Sequence, residues 1–161
     1  MLGIGSPAGD DRAGWLVVDA LLADGRWVSR GIVVEKLDRP GADLISHLEN
    51  GTWVILIDAM QSGGPAGRIR HFDHTDWAAY PRGLSSHGFG VLDALSLAHA
   101  LDALPARLDL YGIEVGAVAP GEEPGAAVRS AARRLAGTVA AALASADVHA
   151  LAATRGRTVG D

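Results

Sequence analysis

The chain has 161 residues, 48% of them hydrophobic and 20% charged, with a formal net charge of −5 from 14 Lys and Arg against 19 Asp and Glu. That length suits one domain with a full core, and an acidic balance without any Lys/Arg run excludes the basic footprint of a nucleic-acid binder. The lack of cysteine removes disulfides, thiolate metal ligands and cysteine nucleophiles together, and no apolar run approaches the roughly 20 residues that span a bilayer.

No charged segment followed by an apolar one opens the chain, so a soluble, cytoplasmic protein is expected. Met1-Leu2-Gly3-Ile4-Gly5 reads as the end of a first strand. Strands usually run about five or six residues, so its beginning is expected to be cut short. Ser6 to Gly9 reads as a turn, and Asp10 and Asp11 lead into an amphipathic helix over Trp15 to Leu22, ending near Asp24-Gly25. Gly31 to Glu35 is expected as the second strand, and Ala42 to Glu49 as a short helix with Leu44, Ile45 and Leu48 on one face.

Trp53 to Ala59 is the centre of the chain. Its apolar residues run without alternation and are bounded by Asn50-Gly51 and Gly63-Gly64-Pro65, which suits a parallel strand buried on both faces. Asp58 then stands at the carboxyl end of that strand, where open α/β sheets bind ligands. Gly67 to Phe72 follows too soon for a parallel crossover, which needs about a dozen residues or more. An antiparallel strand near an edge is expected there. Asp73 to Gly83 reads as loop, Val91 to Leu104 as a helix closed by Pro105, Leu108 to Val115 as the fifth strand, and Gly116 to Pro124 as loop. The last helix runs from Ala126 to about Ala153 with Val128, Leu135, Val139 and Leu143 as its stripe, before a loose tail over 154–161. The order predicts a single three-layer α/β domain over 1–153, with a five-stranded, mostly parallel, doubly wound sheet and one antiparallel edge strand.

Few residues offer chemistry. Gly3-Ile4-Gly5-Ser6-Pro7-Ala8 formally matches the dinucleotide pattern G-x-G-x-x-A. The helix it introduces, however, opens with Asp10-Asp11, two negative charges where a pyrophosphate would dock. The acids read first as first-turn residues, which suit the helix dipole, and otherwise as metal ligands. His87 lies between small residues at a helix entrance, where it reads as a capping or surface residue or as a ligand. His71 and His74 are spaced H-x-x-H, but odd separations on a strand point apart. His47, His99 and His149 fall within helical patterns. If the first and third strands are neighbours, Asp11, Asp58 and His87 can meet. Two carboxylates and an imidazole suit a divalent transition metal such as nickel or zinc, not calcium. The same carboxylates could instead do acid–base work without a metal.

At this point the sequence resembles the nickel–iron hydrogenase maturation endopeptidases. That family opens with a Gly-x-Gly-Asn strand end, a spacer, an acidic pair and a glycine, matched by Gly3-Ile4-Gly5-Ser6, Asp10-Asp11 and Gly14. Its second block, an apolar strand ending in Asp-Ala before a Gly/Pro-Gly turn, is matched by Ile55 to Ala59 and Gly63 to Gly67. Its third, a histidine before a Leu- and Asp-rich helix ending at proline, is matched from Ser86-His87-Gly88 to Leu104-Pro105, and Tyr111-Gly112-Ile113 resembles its following strand. The departures are Ser6 for the family's asparagine, a short spacer with Pro7 and Gly9, and no Leu-Ser step before the last helix.

The resemblance implies a protease that removes a C-terminal extension from a hydrogenase large-subunit precursor once nickel is inserted. Asp11, Asp58 and His87 would serve as metal-binding and catalytic residues, and the nickel would be the substrate's own. It implies no Ser or Cys nucleophile. Two other functions stay open: a non-catalytic module that binds nickel or the precursor, and a flavodoxin-like nucleotide-binding protein.

Overall fold

The apolar run at the centre of the chain forms strand β3 (Trp53–Met60) of the computed structural model, which describes residues 1–49, 51–73, 90–116 and 118–155, with side chains through residue 146. Around it lie β1 (Leu2–Gly5), β2 (Glu35–Asp38), β4 (Ile69–Phe72) and β5 (Arg107–Glu114). They make one five-stranded sheet in the order β2-β1-β3-β5-β4. Every pairing is parallel except β4 with β5, so the edge strand is antiparallel, as the short connection requires.

β3 has no alternation because both its faces are covered. Ile55, Ile57 and Ala59 face α1 (Ala13–Asp24) and α5 (Ala126–Arg155), whose Val128, Leu135, Val139 and Leu143 are all buried as the stripe predicts. Val54, Leu56 and Met60 face α3 (Leu44–Leu48) and α4 (Val91–Ala100). Each such aliphatic side chain contributes about 1.5–3 kcal/mol by leaving water. A one-turn helix, α2 (Arg26–Ser29), follows the left-handed Gly25 (φ 69°) that ends α1.

Two glycines let α1 lie unusually close to the sheet. A Cβ at Gly14 would come within 2.3 Å of the Ile4 carbonyl oxygen and 2.5 Å of that of Ile57. One at Gly3 would stand 2.4 Å from the Gly14 carbonyl oxygen. These contacts are to backbone, which cannot swing aside, so the start of α1 is seated directly on β1 and β3.

Two elements differ from expectation. The second strand is Glu35–Asp38, not Gly31 to Glu35. The register pairs Leu2 with Glu35, so Ile32 to Val34 lie beyond the end of the β1 ladder. Ile32 and Val34 instead pack against the α1/α5 side of the core, and the edge strand carries the charged residues that suit an edge. Helix α4 ends at Ala100, short of Leu104. Asp102 takes a left-handed conformation (φ 55°), and the N–H groups of Asp102 and Ala103 donate to the carbonyls of His99 and Ala98. This double closure stops the helix before Pro105 is reached. Among the described residues, no helix is long and apolar enough to cross a membrane.

Candidate functional site

The chain leaves β1 toward β2 on one side, and β3 lies on the other, so the strand order reverses between β1 and β3. In open α/β sheets the crevice at such a reversal, outside the carboxyl ends of the strands, is where ligands bind. A small cavity of about 30 Å³ opens there, lined by Ile4, Gly5, Asp11, Arg39, Leu44 and Asp58 among others.

Asp11 is delivered by a tight turn. After β1 the chain forms a 3-10 turn over Gly9–Arg12, and the Ser6 N–H reaches the Asp11 carbonyl at 3.4 Å. Gly5 permits this, because a Cβ there would sit 2.4 Å from the Asp11 carbonyl oxygen. The first glycines are therefore spent on packing of the chain against itself, Gly3 on α1 and Gly5 on the turn. That accounts for the G-x-G pattern without a phosphate. Ser6, in the family's asparagine position, is buried, and its hydroxyl accepts from the Ala8 N–H at 3.4 Å.

The two acids of the pair have different work. Asp10 accepts from the Gly125 N–H at 2.6 Å and the Gly116 N–H at 3.1 Å, tying the turn to the loop between β5 and α5. Asp11, 2% exposed, lines the cavity. Asp58 arrives from the other side at the end of β3, on the face shared by Val54, Leu56 and Met60, and its Oδ1 accepts from the Ala59 N–H at 2.9 Å. Burial pushes its carboxyl up to about 7; the Ala59 N–H opposes this, and the charge of Asp11 adds to it. Asp58 thus changes charge near neutral pH, a property that clusters at functional sites.

The structure brings Asp11 and Asp58 to one crevice. His87, the third expected residue, lies outside the described residues, as does His74. Gly90 and Val91, shortly after His87, line the same cavity, and the Asp93 carboxylate accepts from the Gly90 N–H at 3.0 Å at the start of α4. Among the described residues, no group of three His, Cys, Asp or Glu side chains is arranged to hold a metal ion. The buried carboxylate of Asp11 and the partly buried one of Asp58 supply hard oxygen donors suited to a divalent cation.

His71 is committed elsewhere. Its Nε2 lies 2.7 Å from Asp109 Oδ1 and its ring stacks on Tyr111 at 4.4 Å between centroids. Trp53 Nε1 and Arg107 Nε also donate to Asp109, at 2.7 and 3.0 Å. Burial alone would raise the Asp109 carboxyl, but the hydrogen bonds from His71 and Trp53 and the Arg107 charge hold it below its usual range. His47 lies 3.6 Å from Glu35.

Sequence reasoning passed over Arg39 and Glu114. Arg39 lines the cavity and follows β2 with a positive φ of 42°. Glu114, fully buried at the end of β5, accepts from the Ser62 N–H (2.7 Å), the Ser62 hydroxyl (2.6 Å) and the Gly64 N–H (3.1 Å). It holds the loop after β3 in place. A lone acid ending an apolar strand was its only signal, the one that singled out Asp58.

A family model described as HycI: Hydrogenase maturation protease matches residues 39–142, a span that contains Asp58 and His87 and begins after Asp11. The fold is similar to that of the hydrogenase maturating endopeptidase HybD from E. coli, with 24% identity over 90% of this chain and 91% of that one and a TM-score of 0.72. It is also similar to the [NiFe] hydrogenase maturation protease HybD from Thermococcus kodakarensis (25% identity, 88% and 95% covered, TM-score 0.67). A hydrogenase 2 maturation peptidase from a Thaumarchaeota archaeon aligns at 25% identity over 89% and 96%, with a TM-score of 0.64. No curated protein sequence matches the chain significantly.

Proposed function

Since the chain belongs to the hydrogenase maturation protease family, we propose that it removes the C-terminal extension of a nickel–iron hydrogenase large subunit, recognising the nickel already inserted in that precursor. The observation that carries this reading is the convergence of Asp11 and Asp58 on one crevice at the strand-order reversal. His87 completes the set in this reading, as the one imidazole donor beside two carboxylates.

The chemistry follows from the charges. Before substrate arrives, a raised Asp58 carboxyl limits the repulsion between two acids in one small cavity. The precursor's nickel replaces the proton on Asp58 and is held by Asp11, Asp58 and neutral His87, with coordination positions left for the precursor's own groups. That places the peptide bond to be cut beside the cavity. Hydrolysis then adds water across that bond, giving the mature carboxylate and the free amino end of the extension. No serine or cysteine nucleophile is required, and the chain contains no cysteine.

The test is to incubate the protein with nickel-loaded and with nickel-free precursor and to weigh the products. The expected result is loss of a C-terminal peptide from the nickel-loaded form alone. No cleavage of either form would favour a binding module, and equal cleavage of both would remove nickel from the recognition step.

A further inference from the structure

We infer that Arg39 is a specificity-determining residue of this site, and that it binds a carboxylate of the precursor's C-terminal extension. The inference deepens the proposed protease reading and rests on it.

The first observation is backbone strain at the rim of the cavity. Arg39 holds φ at 42°, and its only non-glycine companion among the described residues is Asp102 at the end of α4. Aspartate visits the left-handed region readily, but arginine gains nothing there. Arg39 also precedes Pro40. A residue before proline is pressed toward extended conformations by the proline ring, so this position is doubly unfavourable. Such a backbone is strained and persists only where the surroundings hold it. Its one backbone contact, the N–H donating to the Gly5 carbonyl at 3.1 Å, would be made as well by glycine without strain. What glycine could not supply is the side chain.

The second observation is where that side chain is held. Arg39 is the one cation among the described residues that line the cavity, facing a site otherwise charged only by Asp11 and Asp58. Its Nε donates to Asp38 Oδ1 at 2.7 Å, its one side-chain hydrogen-bond partner among the described residues; the charge of Asp11 attracts it more weakly through space, and the side chain is about half exposed (54%). An Nε bond fixes the plane of the guanidinium and leaves both Nη groups for a partner. That fork matches a carboxylate bidentately. Asp38 ends β2 beside Gly5, so the fork is anchored to the same strand ends that carry Asp11.

The two acids would take the cationic part of the substrate and Arg39 an anionic part, all within the lining of one small cavity. The carboxylate has two possible sources in an extension peptide: an acidic side chain or the chain's own C-terminus. In either case Arg39 acts in binding and leaves the bond-breaking step to others.

The experiment measures kcat and KM on nickel-loaded precursor for the wild type, Arg39→Gly and Arg39→Lys. Arg39→Gly relieves the strained φ, so folding is preserved or improved. The expected result is a KM raised on the order of tenfold in Arg39→Gly, the loss of one charge-assisted contact, with kcat within about twofold. Arg39→Lys recovers part of the loss because it restores charge without the fork. Two further precursors locate the partner. If the extension's Asp and Glu are changed to Asn and Gln and the Arg39→Gly penalty vanishes, the partner is a side chain. If an amidated C-terminus abolishes it, the partner is the terminus. An unchanged KM in Arg39→Gly, or a penalty that persists on both altered precursors, overturns the inference. If the wild type leaves native precursor uncut, the protease reading itself fails and this inference falls with it.

Discussion

Asp58→Asn should separate stability from function in opposite directions. The Asp58 carboxyl, ordinarily at 3.8, is pushed to about 7 chiefly by burial. A group whose folded-state pKa exceeds its unfolded value favours folding while protonated and penalises it once ionised. Stability should therefore fall as pH rises from about 4 through 7 and level off above. The full shift corresponds to a ceiling of about 4 kcal/mol, at about 1.4 kcal/mol per unit. Asp58 keeps part of its surface open to the cavity, and water there trims the effect. A realistic expectation is about 1–3 kcal/mol. Asparagine keeps the shape and the acceptor for the Ala59 N–H but never ionises. In metal-free protein at about pH 8.5 it should raise the melting temperature by several degrees, at about 2–4 °C per kcal/mol for a chain of this size. At about pH 5, where Asp58 is protonated in the fold, the gain should nearly vanish. Cleavage should be lost at both. Thermal melts of both proteins at the two pH values decide it. An equal change at both, or destabilisation at the higher pH, would refute the electrostatic account of this site.

Four other outcomes are expected. Asp10→Asn should cost about 1–3 kcal/mol in urea melts, since the Gly116 and Gly125 N–H groups lose a charged acceptor. Gly14→Ala should cost about 3 kcal/mol or more, or prevent folding, because its Cβ meets backbone carbonyls of Ile4 and Ile57; a melting temperature within a degree or two of wild type would contradict that packing. Burial alone would raise the Glu114 carboxyl, but its bonds from Ser62, Gly63 and Gly64 hold it below its usual 4.5. Its stabilisation is therefore present above that value and lost as pH falls below it, and Glu114→Gln should flatten the acid limb of a stability–pH curve. Nickel, measured by calorimetry, should bind on the order of a hundredfold more weakly at about pH 5.5 than at about 7.5. Both Asp58 and His87, the latter ordinarily near about 6.5, must shed protons to bind it.

Much of the fold is legible in the sequence because burial writes itself into residue type. The unbroken run of β3 announces a strand covered on both faces, and the stripe of α5 announces its buried side. The antiparallel β4 follows from chain length alone. Sequence pattern misplaced β2 because Ile32 and Val34 are apolar for the sake of core packing, while the ladder itself is set by where β1 offers partners. The end of α4 is hidden because Asp102 closes it in a role usually taken by glycine. At the site, Asp58 is legible from its place at a strand end. Asp11 is expected there too and lines the cavity, but that Asp10 is a clamp on Gly116 and Gly125 is not legible, since adjacent acids differ only in which way the turn aims them. Arg39 left no pattern at all, because a strained backbone angle has no counterpart in composition or spacing.

The most direct test of the site is a crystal structure of the protein with a bound divalent metal, zinc being a convenient probe. The expected result is a single ion bonded to carboxylate oxygens of Asp11 and Asp58 and an imidazole nitrogen of His87, with bonds of about 2.0–2.2 Å and open positions facing the Arg39 rim. An ion bound elsewhere, or one held by Asp11 and Asp58 with His87 turned away, would contradict the account.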